Sequence, residues 1–134
     1  MRIGFDAKRA FSNNTGLGNY SRDTINLLSY YLSKNSYFLY TTIENKNPRT
    51  HFISNRENID IKTPESLLNR MFKAYWRSKG IIKDLCLNKI EIYHGLSNEI
   101  PIGIEKTSIK TVVTIHDLIF IRYPKLFKTI QDMA

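Results

Sequence analysis

The sequence predicts an α/β fold in which a Rossmann-like parallel sheet is flanked by helices. Short runs of apolar and β-branched residues alternate with longer segments of helical periodicity, and polar residues or glycine follow several of the short runs at once. The length of 134 residues suits one domain. A hydrophobic content of 42% is enough to form a core, which excludes a disordered chain.

Five short segments are predicted to be strands. The first, at residues 2–7, is a largely apolar run that reaches a carboxylate at Asp6. The others are predicted at residues 37–42, 51–54, 90–94 and 111–115. Ligands of parallel sheets bind beyond the carboxyl ends of the strands. We therefore expect residues 6–18, 94–98 and 116–117 to converge on one edge of the sheet.

Two longer helices are predicted between the strands. The first covers residues 19–32, and the second covers residues 64–86, with Thr63 as its cap and a bend or interruption at Gly80. A further helix is predicted to begin after Pro124, and since no capping signal ends it, we expect the chain to be a fragment of a longer protein. The apolar stripe of the second helix is predicted to comprise Leu67, Leu68, Met71, Tyr75, Ile82 and Leu85.

Net charge and hydropathy indicate which partners and which cellular location to expect. Twenty basic residues against 12 acidic residues give a net charge of +8, which favours anionic partners. No apolar run approaches the ~20 residues that cross a bilayer. The amino terminus carries Asp6 where a signal peptide needs its apolar stretch. These features predict a cytoplasmic protein.

Cysteine and histidine content limits the metal and redox sites. Cys86 is the single cysteine, which excludes a disulfide framework and a four-cysteine zinc site. It is predicted to be a small buried side chain on the apolar side of its helix, because nothing near it in sequence indicates an activating base. The three histidines, His51, His94 and His116, leave little material for a histidine-rich metal centre. We expect no metal and no cofactor.

A glycine-rich motif, TGLGNY at residues 15–20, precedes the first predicted helix. Gly16 and Gly18 would let the backbone approach a ligand, and the free amides of a helix start favour phosphate. Ser21 stands where a dinucleotide fingerprint has its third glycine, and the Gly-Lys-Ser/Thr ending of a P-loop is missing. An ordinary flexible turn is the alternative interpretation.

A His-Asp pair directly follows the last predicted strand. His116 can hydrogen-bond a substrate hydroxyl or stabilise developing charge, while Asp117 sets the local electrostatics. The alternative is a histidine held by backbone carbonyls, with Asp117 capping the next turn. His94, before Gly95, is a weaker candidate because that glycine can simply serve a turn.

Basic residues cluster in the second predicted helix. Arg70, Lys73 and Arg77 recur at helical spacing beside Phe72 and Trp76. They are candidates for contact with anionic lipid headgroups, and a solvated helix face is the alternative. Nucleic acid is not an expected partner, because the remaining lysines and arginines are scattered and no binding motif is recognised.

Four motifs, taken together, resemble those of a known family. They read MRIGFDA at residues 1–7, TGLGNY at 15–20, YHGLSNE at 93–99 and TIHDL at 114–118. In order and spacing they resemble the amino-terminal domain of family 4 glycosyltransferases, which are retaining enzymes of the GT-B fold. The mannosyltransferase-like members that elongate surface polysaccharides are the most similar. The resemblance covers nearly the whole chain, although residues 42–89 carry little of it.

The resemblance implies a role for each matching residue. Gly16 and Gly18 would approach the donor diphosphate and the transferred sugar, with Asp117 on the same donor side, and the catalytic His116 would contact that sugar near the reacting carbon. Family members usually transfer a hexose with retention, by front-face attack assisted by the departing phosphate, and typically need no bound metal. The acceptor side would be formed by Lys8, Arg9, His94, Asn98 and Glu99.

The resemblance also implies that residues 1–134 form one half of a GT-B fold, the acceptor-side domain. The family's second domain supplies most nucleotide contacts and has no counterpart here, so we expect this chain alone to be inactive. The implied partners are a nucleotide-sugar donor and a glycan or lipid-linked acceptor in cell-surface polysaccharide synthesis. The implied location is the cytoplasm, with peripheral contact at the inner face of the membrane. The rival interpretation is a non-catalytic basic α/β module that binds anionic lipid or a partner protein.

Overall fold

Five parallel strands form the centre of the fold in the computed structural model, which describes residues 1–123 except for the side chains of Leu68 and Phe120. Their pairings are all parallel, which confirms the predicted Rossmann-like α/β class. The helix predicted after Pro124 lies outside the described residues. The strands are β1 (Arg2–Asp6), β2 (Ser36–Tyr40), β3 (Ile59–Lys62), β4 (Ile92–Gly95) and β5 (Lys110–Val113), in the spatial order β3-β2-β1-β4-β5.

Helices occupy the connections between these strands. Between β1 and β2 lie α1 (Lys8–Ser12) and α2 (Gly16–Tyr31), and between β2 and β3 lies α3 (His51–Ser54). The connection from β3 to β4 contains α4 (Leu67–Met71), α5 (Lys73–Tyr75), a π-helical turn (Trp76–Gly80) and α6 (Ile81–Leu87). After β5 comes α7 (Ile119–Arg122).

The core has two layers, one on each face of the sheet. Successive residues of a strand point to opposite faces, so Tyr37 and Leu39 of β2 join one apolar cluster while Phe38 and Tyr40 join the other. Residues of α1, α2 and α3 complete the first cluster, and the π-helical turn and α6 complete the second. Because both faces are covered, β1 and β2 read as nearly continuous apolar runs.

The structure differs from the sequence-based expectation at two places before residue 64. Residues 51–54, predicted as a strand, form the helix α3, and the third strand is β3, whose Ile-Asp-Ile-Lys sequence alternates apolar and polar residues. Residues 8–12, for which no helix or strand was predicted, form α1, which buries Ala10 and Phe11. These two apolar residues explain why a segment that starts with two basic residues packs as a helix.

The predicted helix at residues 64–86 is also different, because it is interrupted by the π-helical turn. In a π turn, hydrogen bonds join residue i to residue i+5 instead of i+4. The side chains after the turn are therefore rotated around the helix axis relative to those before it, so one apolar stripe cannot continue through the turn. Cys86, predicted buried, is exposed because its neighbour Leu85 takes the inward position of α6. The buried residues of this connection include Trp76, Ile81 and Leu85, and the exposed ones include Leu67, Met71 and Tyr75.

Candidate functional site

The order of the strands defines a crevice between β1 and β4. The chain first moves from β1 to β2 and β3 on one side, and then returns to place β4 and β5 on the other side. In parallel sheets such a reversal leaves a ligand-sized crevice beyond the carboxyl ends of the two strands. The segments that follow Asp6, Gly95 and Val113 all start at this edge. The expected convergence of these three segments is therefore found at the crevice.

The glycine-rich loop is shaped by Asn13. Its Oδ1 accepts hydrogen bonds from the backbone N–H of Thr15 at 2.8 Å and of Gly18 at 3.3 Å. A Cβ on Gly18 would stand 1.7 Å from the carbonyl oxygen of Asn13, so only glycine fits there. Gly16 is exposed and has open space around its Cα. Of the two glycines, Gly16 is thus the one whose backbone a ligand can approach.

A buried arginine, Arg22, holds this loop against α2. Its Nη1 donates to the carbonyl oxygens of Ala10 at 2.8 Å and Asn13 at 2.7 Å, and its Nη2 donates to Asn19 Oδ1 at 2.7 Å. Only 4% of Arg22 is exposed. Arg22 was not predicted as a site residue, because the sequence around an arginine in a helix does not indicate which carbonyl oxygens its side chain will contact. It fixes the position of the motif that contains Gly16.

Thr114 of the TIHDL motif connects the TGLGNY and YHGLSNE motifs at the crevice. Its hydroxyl lies 3.0 Å from the Tyr20 hydroxyl and 2.8 Å from Nε2 of His94. The His94 ring packs near Phe5, with ring centroids 5.7 Å apart. Burial lowers the pKa of His94 from the ordinary histidine value, which favours a neutral imidazole. His94 therefore serves as a neutral hydrogen-bonding group in this network.

His116 is fixed in position by two hydrogen bonds, one from its ring and one from its backbone. Its Nε2–H donates to the carbonyl oxygen of Leu96 at 2.8 Å, and its backbone N–H donates to Asn98 Oδ1 at 3.0 Å. The ring packs against Tyr20 in a T-shaped contact, with centroids 5.0 Å apart. In the neutral tautomer that carries its proton on Nε2, Nδ1 is the hydrogen-bond acceptor of the ring. The imidazole is thus held at Nε2 by the Leu96 carbonyl, and its Nδ1 can accept a hydrogen bond from a hydroxyl group.

The loop after β4 folds back tightly upon itself. A Cβ on Gly95 would stand 1.9 Å from the carbonyl oxygen of Glu99, so this turn requires glycine. Asn98 has a left-handed backbone with φ of 62°, a conformation that asparagine tolerates better than most residues. Its N–H donates to the carbonyl oxygen of Thr114 at 2.9 Å. The YHGLSNE and TIHDL motifs are thereby hydrogen-bonded to each other.

Beside this loop lies an ion cluster of Asp6, Arg77 and Glu99. Arg77 Nη2 lies 2.9 Å from Asp6 Oδ2 and 2.9 Å from Glu99 Oε2. Burial acts to lower the pKa of Arg77, but the charges of Asp6 and Glu99 outweigh it and raise that pKa. The guanidinium therefore stays charged and bridges two carboxylates. Sequence reasoning selected Arg77 and Glu99 but did not pair them, because 21 residues and a strand separate the two.

A cleft of about 380 Å³ opens next to the ion cluster. Its polar side is formed by Asp6, Arg77 and Glu99, and its apolar side includes Tyr93 and Ile102. Burial, followed by the charge of Asp6, raises the pKa of the Tyr93 phenol, which therefore stays protonated. Carboxylates set against an apolar wall suit a ligand that has both hydroxyl groups and a hydrophobic face.

The other predicted site residues lie around the same edge. Lys8 and Arg9 are half-buried in α1, and the Lys8 N–H donates to Asp6 Oδ1 at 3.1 Å. Asp117 Oδ1 accepts the N–H of Ile119 at 3.2 Å and so caps the start of α7. This is the capping arrangement that the sequence left open as the alternative for that carboxylate.

The three basic candidates for membrane contact do not share one surface. Arg70 and Lys73 are exposed, whereas the Arg77 side chain is turned inward and only 20% exposed. The π-helical turn and the break between α4 and α5 account for the separation, since the expected helical spacing is interrupted. Arg77 belongs to the ion cluster rather than to a solvent-facing basic surface.

In the described part of the chain, no group of three or more His, Cys, Asp or Glu side chains is placed to hold a metal ion. No helix within residues 1–123 is long and apolar enough to cross a membrane. Comparisons with protein-family models, with curated proteins and with solved structures find no match to this chain. The geometry of the crevice and the motifs that form it are therefore the basis for a functional proposal.

Proposed function

We propose that this domain is the acceptor-side half of a retaining glycosyltransferase. The enzyme would move a hexose, mannose in the members that its motifs most resemble, from a nucleotide sugar to a glycan or lipid-linked acceptor of a cell-surface polysaccharide. The observation that carries the proposal is the meeting of Tyr20, Thr114, His94 and His116 at the crevice between β1 and β4. Three of the four family-like motifs supply these residues.

His116 is proposed to orient the transferred sugar. Its Nε2–H is engaged by Leu96, which fixes the ring and leaves Nδ1 to accept a hydrogen bond from a sugar hydroxyl. The contact of Asn98 with the His116 backbone adds a second restraint. Because the ring is already positioned, it can hold the transferred sugar with its reacting carbon near the acceptor, and no binding energy is used to reorganise the side chain.

The start of α2 is proposed to face the departing diphosphate. The helix is 16 residues long, so the partial positive charge at its first turn is well developed. Gly16 is exposed at that turn, and a bare backbone lets phosphate oxygens come close to amide N–H groups. Such donors stabilise the negative charge that grows on the leaving group.

The cleft beside the ion cluster is proposed to receive the acceptor. Asp6 and Glu99 present carboxylate oxygens that can accept hydrogen bonds from acceptor hydroxyls, while Arg77 keeps the two carboxylates together. The apolar wall that includes Ile102 suits the hydrophobic face of a sugar ring or the first carbons of a lipid link. Lys8 and Arg9 lie at the start of the adjoining helix.

The test is a transfer assay with nucleotide-activated hexoses. A longer enzyme that joins this domain to a nucleotide-binding domain should transfer the sugar to a lipid-linked or glycan acceptor, and the 134-residue chain alone should not. Turnover by the isolated chain would contradict the division of the site between two domains. Failure of the longer enzyme with every nucleotide hexose would contradict the transferase proposal itself.

A further inference from the structure

Residues 65–75, which contain α4 and α5, contribute almost nothing to the core. Every described side chain in this stretch is exposed apart from the half-buried Asn69. Helices in folded proteins owe most of their stability to the packing of an apolar face. We call residues 67–75, together with Lys79, the α4–α5 surface. Among the side chains that the structure describes, α4 and α5 have no apolar side chain that is buried against the domain.

The α4–α5 surface is rich in large apolar side chains. Leu67 is 77% exposed, Met71 74%, Phe72 59% and Tyr75 55%. They lie within nine consecutive residues, so they form a local concentration rather than scattered single exposures. Concentrations of this kind mark contact with a partner or a membrane.

The charge of this surface has one sign. Arg70 and Lys73 are interspersed with the apolar residues, and Lys79 and Lys83 follow, all of them exposed. From residue 66 to residue 83 the sequence contains no aspartate or glutamate. Protein interfaces are depleted of lysine at their centres, whereas the headgroup region of an anionic membrane attracts it. The composition therefore favours a lipid surface over a protein partner.

Two consecutive residues attach this surface to the domain. Trp76 is fully buried, and its Nε1–H donates to Asp84 Oδ2 at 2.6 Å. Arg77 is paired with Asp6 at the end of β1. Ala74, within the surface, also lines the cleft beside that ion pair. A membrane that contacts α4 and α5 would thus lie next to the opening of the cleft.

We propose that the α4–α5 surface docks this domain on an anionic lipid membrane. Phe72 and Met71 enter the boundary between headgroups and acyl chains, and Arg70, Lys73 and Lys79 contact the headgroups. Arg77 takes no part, because it is committed to the ion cluster. The inference is independent of the proposed sugar transfer, since docking can be measured with no donor or acceptor sugar present.

The test is co-sedimentation of the purified chain with vesicles of phosphatidylcholine mixed with phosphatidylglycerol, and with vesicles of phosphatidylcholine alone. We expect binding to the mixed vesicles only. Arg70→Gln combined with Lys73→Gln should weaken that binding about thirtyfold, since each charge near the surface contributes about a fivefold effect. Met71→Ser combined with Phe72→Ser should weaken it at least about tenfold.

Matched control variants separate this surface from net charge and general hydrophobicity. Lys34→Gln with Lys106→Gln removes two exposed charges that precede β2 and β5, at the amino edge of the sheet. Leu27→Ser with Tyr31→Ser removes two exposed apolar side chains from α2. Both controls should bind like the wild type. Failure of the wild type to bind the mixed vesicles, or equal losses in the control and test variants, would overturn the proposal.

Discussion

Arg77 and Asp6 form an ion pair with an Nη2 to Oδ2 distance of 2.9 Å, which joins the π-helical turn to the carboxyl end of β1. Their side chains are only 20% and 11% exposed. The same nitrogen reaches Glu99, so one guanidinium connects three separate segments of the chain. Because the pair is largely shielded from water, loss of the cation leaves a carboxylate that is poorly solvated.

Arg77→Gln should therefore lower the free energy of unfolding by about 2 kcal/mol, less than the loss of a fully buried partner. Urea denaturation measures this change. Lys73→Gln, four residues earlier and exposed, is the control and should alter stability by no more than about 0.5 kcal/mol. Asp6→Asn added to Arg77→Gln should recover part of the loss, because the stranded charge is removed. Equal stabilities of the Arg77 and Lys73 variants would contradict the structural role of this pair.

The two glycines of the TGLGNY motif should respond differently to substitution. Gly18→Ala places a methyl group 1.7 Å from the Asn13 carbonyl oxygen and should destabilise the chain by at least about 2 kcal/mol. Gly16→Ala meets open space and should keep wild-type stability or raise it slightly. Thermal or urea unfolding distinguishes the two. In the proposed enzyme, Gly16→Ala should still reduce sugar transfer, since a Cβ would hinder the approach of phosphate; comparable destabilisation by both substitutions would refute the loop geometry.

The burial of His94 should make stability depend on pH. Because burial lowers the pKa of this imidazole in the folded state, the unfolded chain binds a proton more readily. Neutral His94 makes its full contribution to the free energy of unfolding above about pH 6.5, the ordinary histidine pKa. This contribution is lost as the pH falls toward the lowered pKa of His94 in the folded state. His94→Gln should reduce the decline in unfolding free energy between about pH 7.5 and about pH 5. His51→Gln, at an exposed histidine, is the control, and an unchanged decline in the His94 variant would disprove this assignment.

The parts of the fold that the sequence predicted well are those in which local pattern and final packing agree. β1 and α2 begin and end within a few residues of their predicted limits, because an apolar run and a glycine-containing loop mark their boundaries. Residues 51–54 contain apolar and aromatic side chains that suit a strand equally well. They form a helix because Ile53 packs on the cluster beneath α2, which is a tertiary effect.

The candidate site likewise contains residues that were predicted from the sequence and residues that were not. Its glycines and histidines were selected from motifs, since each lies at the end of a predicted strand or in the segment that follows it, at the edge where ligands bind. The role of Arg77 depended on a π-helical turn that inserts an extra residue, and no sequence period reports such an insertion. Thr114 and Arg22 were missed because their hydrogen bonds reach partners in other segments of the chain.

If His116 orients the transferred sugar, its replacement in His116→Ala should prevent sugar transfer without unfolding the protein. The measurement compares kcat/KM of the wild type, His116→Ala and His51→Ala in an enzyme that contains this domain and its nucleotide-binding partner, with circular dichroism to verify folding. We expect kcat/KM to fall at least about a hundredfold in a folded His116→Ala protein, and to keep its wild-type value in His51→Ala. A folded His116→Ala enzyme that transfers sugar at a near wild-type rate would show that His116 does not orient the transferred sugar.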